Sequence, residues 1–222
     1  MPIQQVVSKI KGVADIVFCI DATGSMQPCI DNLKINIETF ADSIKNFSPN
    51  TIIDWRAKII AYRDFNTDSE YLVNDMDFVT TPGELKMQLD KIAADGGGDE
   101  PESTLDSIIF ATLKSNWREE SHKAIVVFTD ASPITSYHQK TKDEFGIPDG
   151  LDILRQILME NRIKLFIYGP QDPTYNEIAK IERVTTVLYD DIKLGLANVD
   201  FKSLLDTVGK TVSQIASQGG VM

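Results

Sequence analysis

The sequence predicts an α/β fold with a doubly wound, mostly parallel central sheet and helices on both of its faces. Short and almost uninterrupted apolar runs, typical of strands buried on both faces, alternate along the chain with amphipathic stretches of helical spacing. An acid-rich stretch at residues 71–79 adds one short antiparallel edge strand to this prediction. Charge on an edge strand discourages unwanted pairing, which is why we place this stretch at the border of the sheet.

Each predicted element has a local signal. The strands are predicted at residues 15–20, 51–62, 71–79, 123–129, 163–168 and 184–189. A long helix follows the first strand, because apolar residues recur at helical spacing from Ile30 to Ile44. A second helix is predicted to start at Thr81, ahead of a proline. The remaining helices are predicted at residues 103–117, 151–161, 174–181 and 201–216. Residues 131–150 are predicted to be an irregular functional loop, because they are too many for a plain connection.

Length and composition predict one domain over residues 1–222, with its core at about 14–190 and a terminal helix at about 200–217. Thirty-three acidic residues against 22 Lys and Arg give a formal net charge of −11, which opposes binding to the phosphates of nucleic acid. No apolar segment reaches the roughly 18 residues of a membrane span, and no signal peptide is evident. We therefore expect a cytoplasmic protein without a membrane or nucleic-acid partner.

Familiar catalytic and covalent patterns are missing from the sequence. No G-x-x-x-x-G-K-[ST] occurs, and Ser25 lies outside any G-x-S-x-G. His122 and His138 share no metal-ligand spacing, and we interpret both as surface or loop residues. Cys19 and Cys29 are too few for a disulfide framework or a zinc site and are predicted to be unbridged. Nothing supplies a nucleophile with an oriented base, so we expect no enzymatic activity.

Oxygen-bearing side chains follow two of the buried strands. Asp21, Thr23 and Ser25 come directly after the first strand, and Asp130 comes directly after the run at 123–129. Ligands of parallel α/β sheets bind beyond the carboxyl ends of the strands, so this is where a site is expected. One carboxylate and two hydroxyls at alternate positions point three oxygens at one hard cation, and Mg²⁺ prefers such ligands. The alternative is that strand-end aspartates simply stabilise turns.

Four segments, in order, resemble the von Willebrand factor type A domain and its metal-ion-dependent adhesion site. The segment from Asp21 to Met26 is similar to the D-x-[ST]-x-S opening of that site. Tyr-Arg-Asp at 62–64 and Gly-Gly-Gly-Asp-Glu-Pro-Glu at 96–102 resemble the branch associated with alpha-kinases and hemicentins. Phe-Thr-Asp at 128–130 resembles the strand-terminal aspartate that closes the site. The resemblance covers residues 14–189 and implies the Rossmann-like fold of that family.

The resemblance also implies a set of site residues. The implied metal ligands or water-holders are Asp21, Thr23, Ser25, Asp99 and Asp130. Asp99 stands where the commonest pattern has a threonine, and its alternative role is a helix N-cap. Asp64 and Glu102 are candidates for a second layer around the metal, with a strand-end cap and a helix first-turn residue as their alternatives.

The function implied by the resemblance is divalent-cation-dependent protein recognition, with Mg²⁺ as the expected cation and Mn²⁺ or Ca²⁺ as alternatives. The expected partner is another protein, which completes the metal coordination with an acidic side chain. By analogy it is a kinase, a phosphatase or an AAA+ ATPase of a bacterial signalling, stress or defence system. Two alternatives stay open at this point: metal-dependent hydrolysis of a phosphoester, and a structural subunit whose metal site is unused.

Overall fold

A computed structural model of the chain describes residues 10–46, 51–66, 74–96, 101–190 and 200–218. Its strands are β1 (Ile10–Asp21), β2 (Thr51–Tyr62), β3 (Asn74–Asp75), β4 (His122–Phe128), β5 (Ile163–Pro170) and β6 (Val184–Tyr189). Its helices are α1 (Gln27–Asn46), α2 (Pro82–Leu89), α3 (Thr104–Lys114), α4 (Gln139–Phe145), α5 (Leu151–Glu160), α6 (Pro173–Ile178) and α7 (Phe201–Gln218). A short 3-10 helix, Gly24–Met26, joins β1 to α1.

The described strands form one six-stranded sheet in the order β3-β2-β1-β4-β5-β6. All neighbouring strands are parallel except β2 and β3, which pair antiparallel through Ile60 with Asp75 and Ala61 with Asn74. The chain first builds outward from β1 to β3 and then returns to β4 on the other side of β1. The predicted doubly wound sheet with an antiparallel edge strand is thus confirmed, although residues 71–73 of the predicted edge strand lie outside the described residues.

Each face of the sheet has its own apolar core. In β1, Ile16, Phe18 and Ile20 point into a core that α1, α2 and α7 cover. Val17 and Cys19 alternate with them and point into the opposite core, which α3, α5 and α6 cover. Strands buried on both faces therefore have continuous apolar runs, whereas helices such as α1 and α5 carry their buried apolar residues on one side. Helices on both faces are as predicted.

One prediction about the segment after β4 is wrong. Residues 131–150 contain the helix α4, which ends at Gly146 in the left-handed region with φ of 63°. Among its residues only Thr141 is fully buried, so the helix carries no apolar stripe that the sequence pattern reveals. The helix predicted at residues 103–117 is confirmed as α3, and ahead of it the backbone N–H of Glu102 donates to the carbonyl of Ser132 at 2.9 Å.

The two cysteines lie on opposite sides of the sheet. Cys19 is buried in the middle of β1, and Cys29 is buried in the first turns of α1, on the other face. Both are free thiols, which confirms that they do not bridge.

A buried ion-pair network anchors β1 far from the carboxyl end of the strand. Asp15 is 0% exposed and accepts hydrogen bonds from Arg56 of β2 at 2.9 Å and from Arg118 at 2.7–2.8 Å. Burial alone would raise the pKa of Asp15, but the hydrogen bonds and charges of the two arginines hold this pKa below its usual value. The network ties the segment after α3 to β1 and β2. Among the described residues, no helix is long and apolar enough to cross a membrane.

Candidate metal centre

The order of the strands brings two carboxylates to one point at the edge of the sheet. Asp21 is the last residue of β1, and Asp130 lies just beyond the end of β4. These strands are parallel neighbours, and the direction in which the chain builds the sheet reverses between them. Open α/β sheets bind ligands in the crevice that forms at such a switch point, outside the carboxyl ends of the strands. The two aspartates therefore lie where the sequence predicted a site.

Asp21 fixes the first loop through both of its carboxylate oxygens. Oδ1 accepts hydrogen bonds from the backbone N–H of Thr23 at 3.0 Å and from the Thr23 hydroxyl at 2.7 Å. Oδ2 accepts a hydrogen bond from the hydroxyl of Thr129 at 2.8 Å. Asp21 and Thr129 are both 0% exposed, so protein donors rather than solvent set the orientation of this carboxylate.

Ser25 and Asp130 form the outer part of the same arrangement. The hydroxyl oxygen of Ser25 lies 3.4 Å from that of Thr23, and Ser25 is also hydrogen-bonded to the carboxylate of Asp130. Ser25 is exposed and Asp130 is half-buried. The side chains of Asp21, Thr23, Ser25 and Asp130 thus form one connected chain of oxygen atoms that leads from the buried end of β1 to the surface.

The surroundings of Asp21 and Asp130 disfavour the ionised forms of both carboxyl groups. Burial raises the pKa of Asp21 to about 6; hydrogen bonds from Thr23 and Thr129 oppose this shift, and the charge of Asp130 adds to it. Burial also raises the pKa of Asp130, and the hydrogen bond from Ser25 partly offsets the shift. Behind the loop, burial and the charges of both carboxylates raise the pKa of the Cys29 thiol. A cation between the two carboxylates would relieve their repulsion.

Residues that follow β2 hold the first loop in place. Arg63 donates hydrogen bonds to the carbonyl oxygens of Ala22 and Ala93, each at 3.1 Å. The backbone N–H of Ala22 donates to the carbonyl of Tyr62 at 2.8 Å, and that of Asp95 donates to the carbonyl of Ala22 at 3.0 Å. The loop that carries Thr23 and Ser25 is therefore bound on one side to the end of β2 and on the other to the segment after α2.

The other predicted site residues lie around this arrangement or outside the described part of the chain. Asp64 is 4% exposed and accepts a hydrogen bond from the backbone N–H of Asn66 at 2.9 Å, and its place in a second layer around the metal stays a prediction. Glu102 is 3% exposed and precedes α3, so its alternative role in the first helical turn is wrong, while its place in a second layer stays a prediction. Asp99 lies outside the described residues, and its role as a ligand stays a prediction.

Sequence reasoning assigned no role to two residues of this site. Thr129 supplies the donor to the inner oxygen of Asp21, and Arg63 braces the loop carbonyls. Both lie inside segments that carried the family resemblance, Phe-Thr-Asp at 128–130 and Tyr-Arg-Asp at 62–64. A hydroxyl residue between a strand end and an aspartate was the available signal for Thr129.

The side chains that meet here fit a hard divalent cation in their chemistry. All are oxygen donors, as Mg²⁺ prefers, and the exposed position of Ser25 leaves room for water or for a partner's ligand. The part of the chain that the structure describes holds no group of three or more His, Cys, Asp or Glu side chains placed for a metal. The described donor set therefore consists of the carboxylates of Asp21 and Asp130 with the hydroxyls of Thr23 and Ser25.

Comparisons with known proteins agree with this architecture. A curated relative, the alpha-protein kinase vwkA of Dictyostelium discoideum, is 27% identical over 153 residues, which are 66% of this chain and 24% of the relative. The chain thus spans about a quarter of the length of that relative.

Two solved structures share the fold at low sequence identity. A von Willebrand factor type A protein from Catenulispora acidiphila superposes with a TM-score of 0.58 at 15% identity, covering 88% of this chain and 42% of that one. Proximal thread matrix protein 1 from the mussel byssus superposes with a TM-score of 0.51 at 15% identity, covering 91% of this chain and 46% of that one.

A family model described as von Willebrand factor A domain matches residues 15–143, more than half of the chain. This chain therefore belongs to the von Willebrand factor A domain family.

Proposed function

We propose that this chain is a non-enzymatic protein-recognition module that binds its partner through a divalent cation held at the carboxyl ends of β1 and β4. Domains of this family commonly mediate protein–protein interaction. The observation that carries the cation dependence is the connected set of Asp21, Thr23, Ser25 and Asp130 at the switch point of the sheet. In this proposal Mg²⁺ is the cation, with Mn²⁺ or Ca²⁺ as substitutes.

The difference in burial between the inner and the outer residues of the site supports a recognition role. Asp21 is held rigidly by Thr23 and Thr129, whereas Ser25 is exposed and Asp130 is half-buried. A cation bound here keeps its inner ligands fixed and turns its outer positions toward solvent. A carboxylate from a partner protein would then complete the coordination. The proposed ligand Asp99 would add a third carboxylate, which strengthens cation binding but weakens the attraction for an acidic partner.

The absence of enzymatic activity is part of the proposal. The donor set consists of carboxylates and hydroxyls that hydrogen-bond to one another, and neither His122 nor His138 is among them. A nucleophile activated by a base is therefore missing from the described set of residues.

We further propose that the partner belongs to a signalling, stress or defence system, with a kinase, a phosphatase or an AAA+ ATPase as the candidate class. The support is that the curated relative carries the name of an alpha-protein kinase and is about four times as long as the region it shares with this chain. The bacterial setting rests on the analogy drawn from the sequence alone.

The test is affinity capture with the immobilised chain in three buffers: Mg²⁺, chelator, and chelator followed by excess Mg²⁺. We expect a protein that binds with Mg²⁺, leaves with chelator and returns when Mg²⁺ is restored. Asp21→Asn should lose this protein, because it removes the charge of the inner carboxylate while keeping its shape.

A matched control is Asp31→Asn, which removes an exposed carboxylate of α1 that lies outside the oxygen network. It should retain the same protein at parental levels. Capture that is equal in Mg²⁺ and in chelator would contradict a cation-dependent role. Hydrolysis of a generic phosphoester that requires Mg²⁺ and disappears in Asp21→Asn would instead favour an enzyme.

A further inference from the structure

A row of three basic side chains lies at the amino-terminal edge of the sheet, at the opposite ends of the strands from the candidate metal centre. His122 starts β4, Lys164 is the second residue of β5, and Arg183 directly precedes β6. Strand pairing sets Lys164 opposite Ala124, two residues after His122, and sets Leu165 opposite Val184. Because side chains alternate along strands, His122 and Lys164 project from the same face of the sheet. Arg183 lies at the same end of the neighbouring strand, close enough for its charge to act on both of them.

Direct contacts confirm that this face is shared. The ammonium group of Lys164 donates to the hydroxyl of Thr185, two residues beyond Arg183, at 2.7 Å. The same ammonium group lies 5.2 Å from the centre of the Phe166 ring. Adjacent strands are about 4.8 Å apart, so the row extends about 10 Å from β4 to β6.

The three basic side chains of this row form no ion pair in the described part of the chain. None of the ion pairs there includes His122, Lys164 or Arg183, although the chain has a formal net charge of −11. Neighbouring Glu182 is exposed and forms no ion pair with Arg183 in this structure. Burial lowers the pKa of both Lys164 and His122, and the charge of Arg183 lowers them further.

Arg183 carries the second observation that points to a ligand. Its Nε atom is buried and has no hydrogen-bond acceptor among the described residues. Its backbone adopts φ of 68°, a left-handed conformation that a long side chain rarely takes, while its carbonyl is held by the N–H of Leu165 at 3.1 Å. A buried donor without an acceptor is costly, so such a group calls for an acceptor that the protein itself does not provide.

We propose that His122, Lys164 and Arg183 form a binding site for an oxyanion of the phosphate type. One guanidinium group, one ammonium group and one imidazole match the charge of a phosphate monoester, about −1.5 to −2 at neutral pH, better than that of a single carboxylate. The guanidinium group of Arg183 presents donors in the fork that suits phosphate oxygens, and Lys164 adds a point charge beside it. The site is independent of the proposed cation site, which lies about 20 Å away at the other end of β4.

The chain offers a direct reporter of this site. Its two histidines give separate NMR signals, and only His122 belongs to the row. We expect inorganic phosphate, at constant ionic strength, to raise the pKa of His122 in a saturable manner, while the NMR signal of His138 serves as the internal control. Chloride at the same ionic strength should not reproduce the shift. An equal shift with chloride, or no shift with phosphate, would overturn the proposal.

Substitutions distinguish specific binding of phosphate by these side chains from non-specific attraction to positive charge. Arg183→Gln and Lys164→Gln should each weaken phosphate binding by at least about tenfold. The matched control is Arg155→Gln, because Arg155 is an exposed arginine of α5, the helix that covers the opposite face of the sheet. If Arg183→Gln fails to fold, Lys164→Gln carries the test. Parental affinity in a folded Arg183→Gln or Lys164→Gln variant would overturn the assignment.

A last arm identifies the source of the phosphate group. A peptide that contains phosphoserine and its unphosphorylated counterpart are titrated against the same His122 signal. Tighter binding of the phosphopeptide than of inorganic phosphate would assign the site to a modified partner segment. Equal affinities would assign it to a free phosphate ion or a small phosphate ester. A response to the unphosphorylated peptide alone would contradict an oxyanion site.

Discussion

Replacement of Asp21 by asparagine should change stability in opposite directions with and without a cation. The introduced amide would keep an oxygen that accepts from Thr23, and the hydroxyl of Thr129 is able to turn and accept from the new NH₂ group. The substitution removes one buried negative charge beside Asp130. Because burial raises the pKa of Asp21 to about 6, ionised Asp21 opposes folding at pH 8.

The size of the effect follows from this pKa. The ordinary pKa of an aspartate is about 3.9, and each pKa unit corresponds to about 1.4 kcal/mol, so ionised Asp21 costs about 3 kcal/mol at pH 8. In chelator, Asp21→Asn should therefore be more stable than the parent by up to about 3 kcal/mol. For a domain of this size that is a rise in Tm of about 6–12 °C.

With Mg²⁺ the order should reverse. A cation at 1,000 times its Kd adds about 4.1 kcal/mol to the free energy of unfolding of the parent, which exceeds the lead of about 3 kcal/mol that the variant has in chelator, while the variant itself should gain almost nothing. Thermal melts of both proteins at pH 8, with chelator and with a Mg²⁺ series, test this, and Asp31→Asn is the control. The reasoning is refuted if Asp21→Asn melts well below the parent in chelator, or if Mg²⁺ raises both melting temperatures equally.

Three further predictions concern other parts of the fold. Asp15→Asn should lower the free energy of unfolding, measured with urea at pH 7, by about 2–3 kcal/mol. The substitution removes the buried charge that pairs with Arg56 and Arg118, although both arginine side chains keep some contact with solvent. The pKa of Asp15 is lowered in the folded state, so this stabilisation is present above about pH 4 and is lost as the pH falls further; a cost that persists at pH 2 would contradict the ion-pair account. Gly209→Ala should cost about 1–3 kcal/mol, since its Cβ would lie 2.8 Å from the carbonyl oxygen of Phe40 in the facing helix. Gly83→Ala, with no atom within 4 Å of its Cβ, should be neutral or slightly stabilising in the same denaturant titration, and equal costs would refute the packing argument. Asp99→Thr should raise the Mg²⁺ concentration needed for partner binding yet bind as well as the parent at saturation, whereas an unchanged midpoint would assign Asp99 to a helix cap.

The sequence predicted those parts of the fold in which the local pattern of apolar residues reflects how many faces of the element are buried. The run at 16–20 is continuously apolar because both faces of β1 are covered, and α1 shows an apolar stripe because only one of its sides is covered. The proximity of Asp21 and Asp130 was predictable for a topological reason. Parallel strands end at the same edge, so aspartates that follow β1 and β4 must lie near each other once those strands are neighbours.

The parts that escaped prediction depend on contacts between distant segments. The partners of Asp15 are 41 and 103 residues away along the chain, so no local periodicity signals them. The helix α4 escaped because it packs mainly through Thr141 and presents polar side chains elsewhere. The backbone pairing of Glu102 with Pro133, in the segment after β4, also joins distant parts of the chain, so the sequence pattern does not reveal it.

Direct observation of the cation is the most decisive measurement for the proposed function. Crystals of the parent soaked in Mn²⁺, which takes the same oxygen ligands as Mg²⁺ and scatters anomalously, should show one strong anomalous peak between the side chains of Ser25 and Asp130. Crystals of Asp21→Asn treated in the same way should lack this peak. A parent crystal with saturating Mn²⁺ and no peak at the carboxyl ends of β1 and β4 would contradict the cation-dependent account.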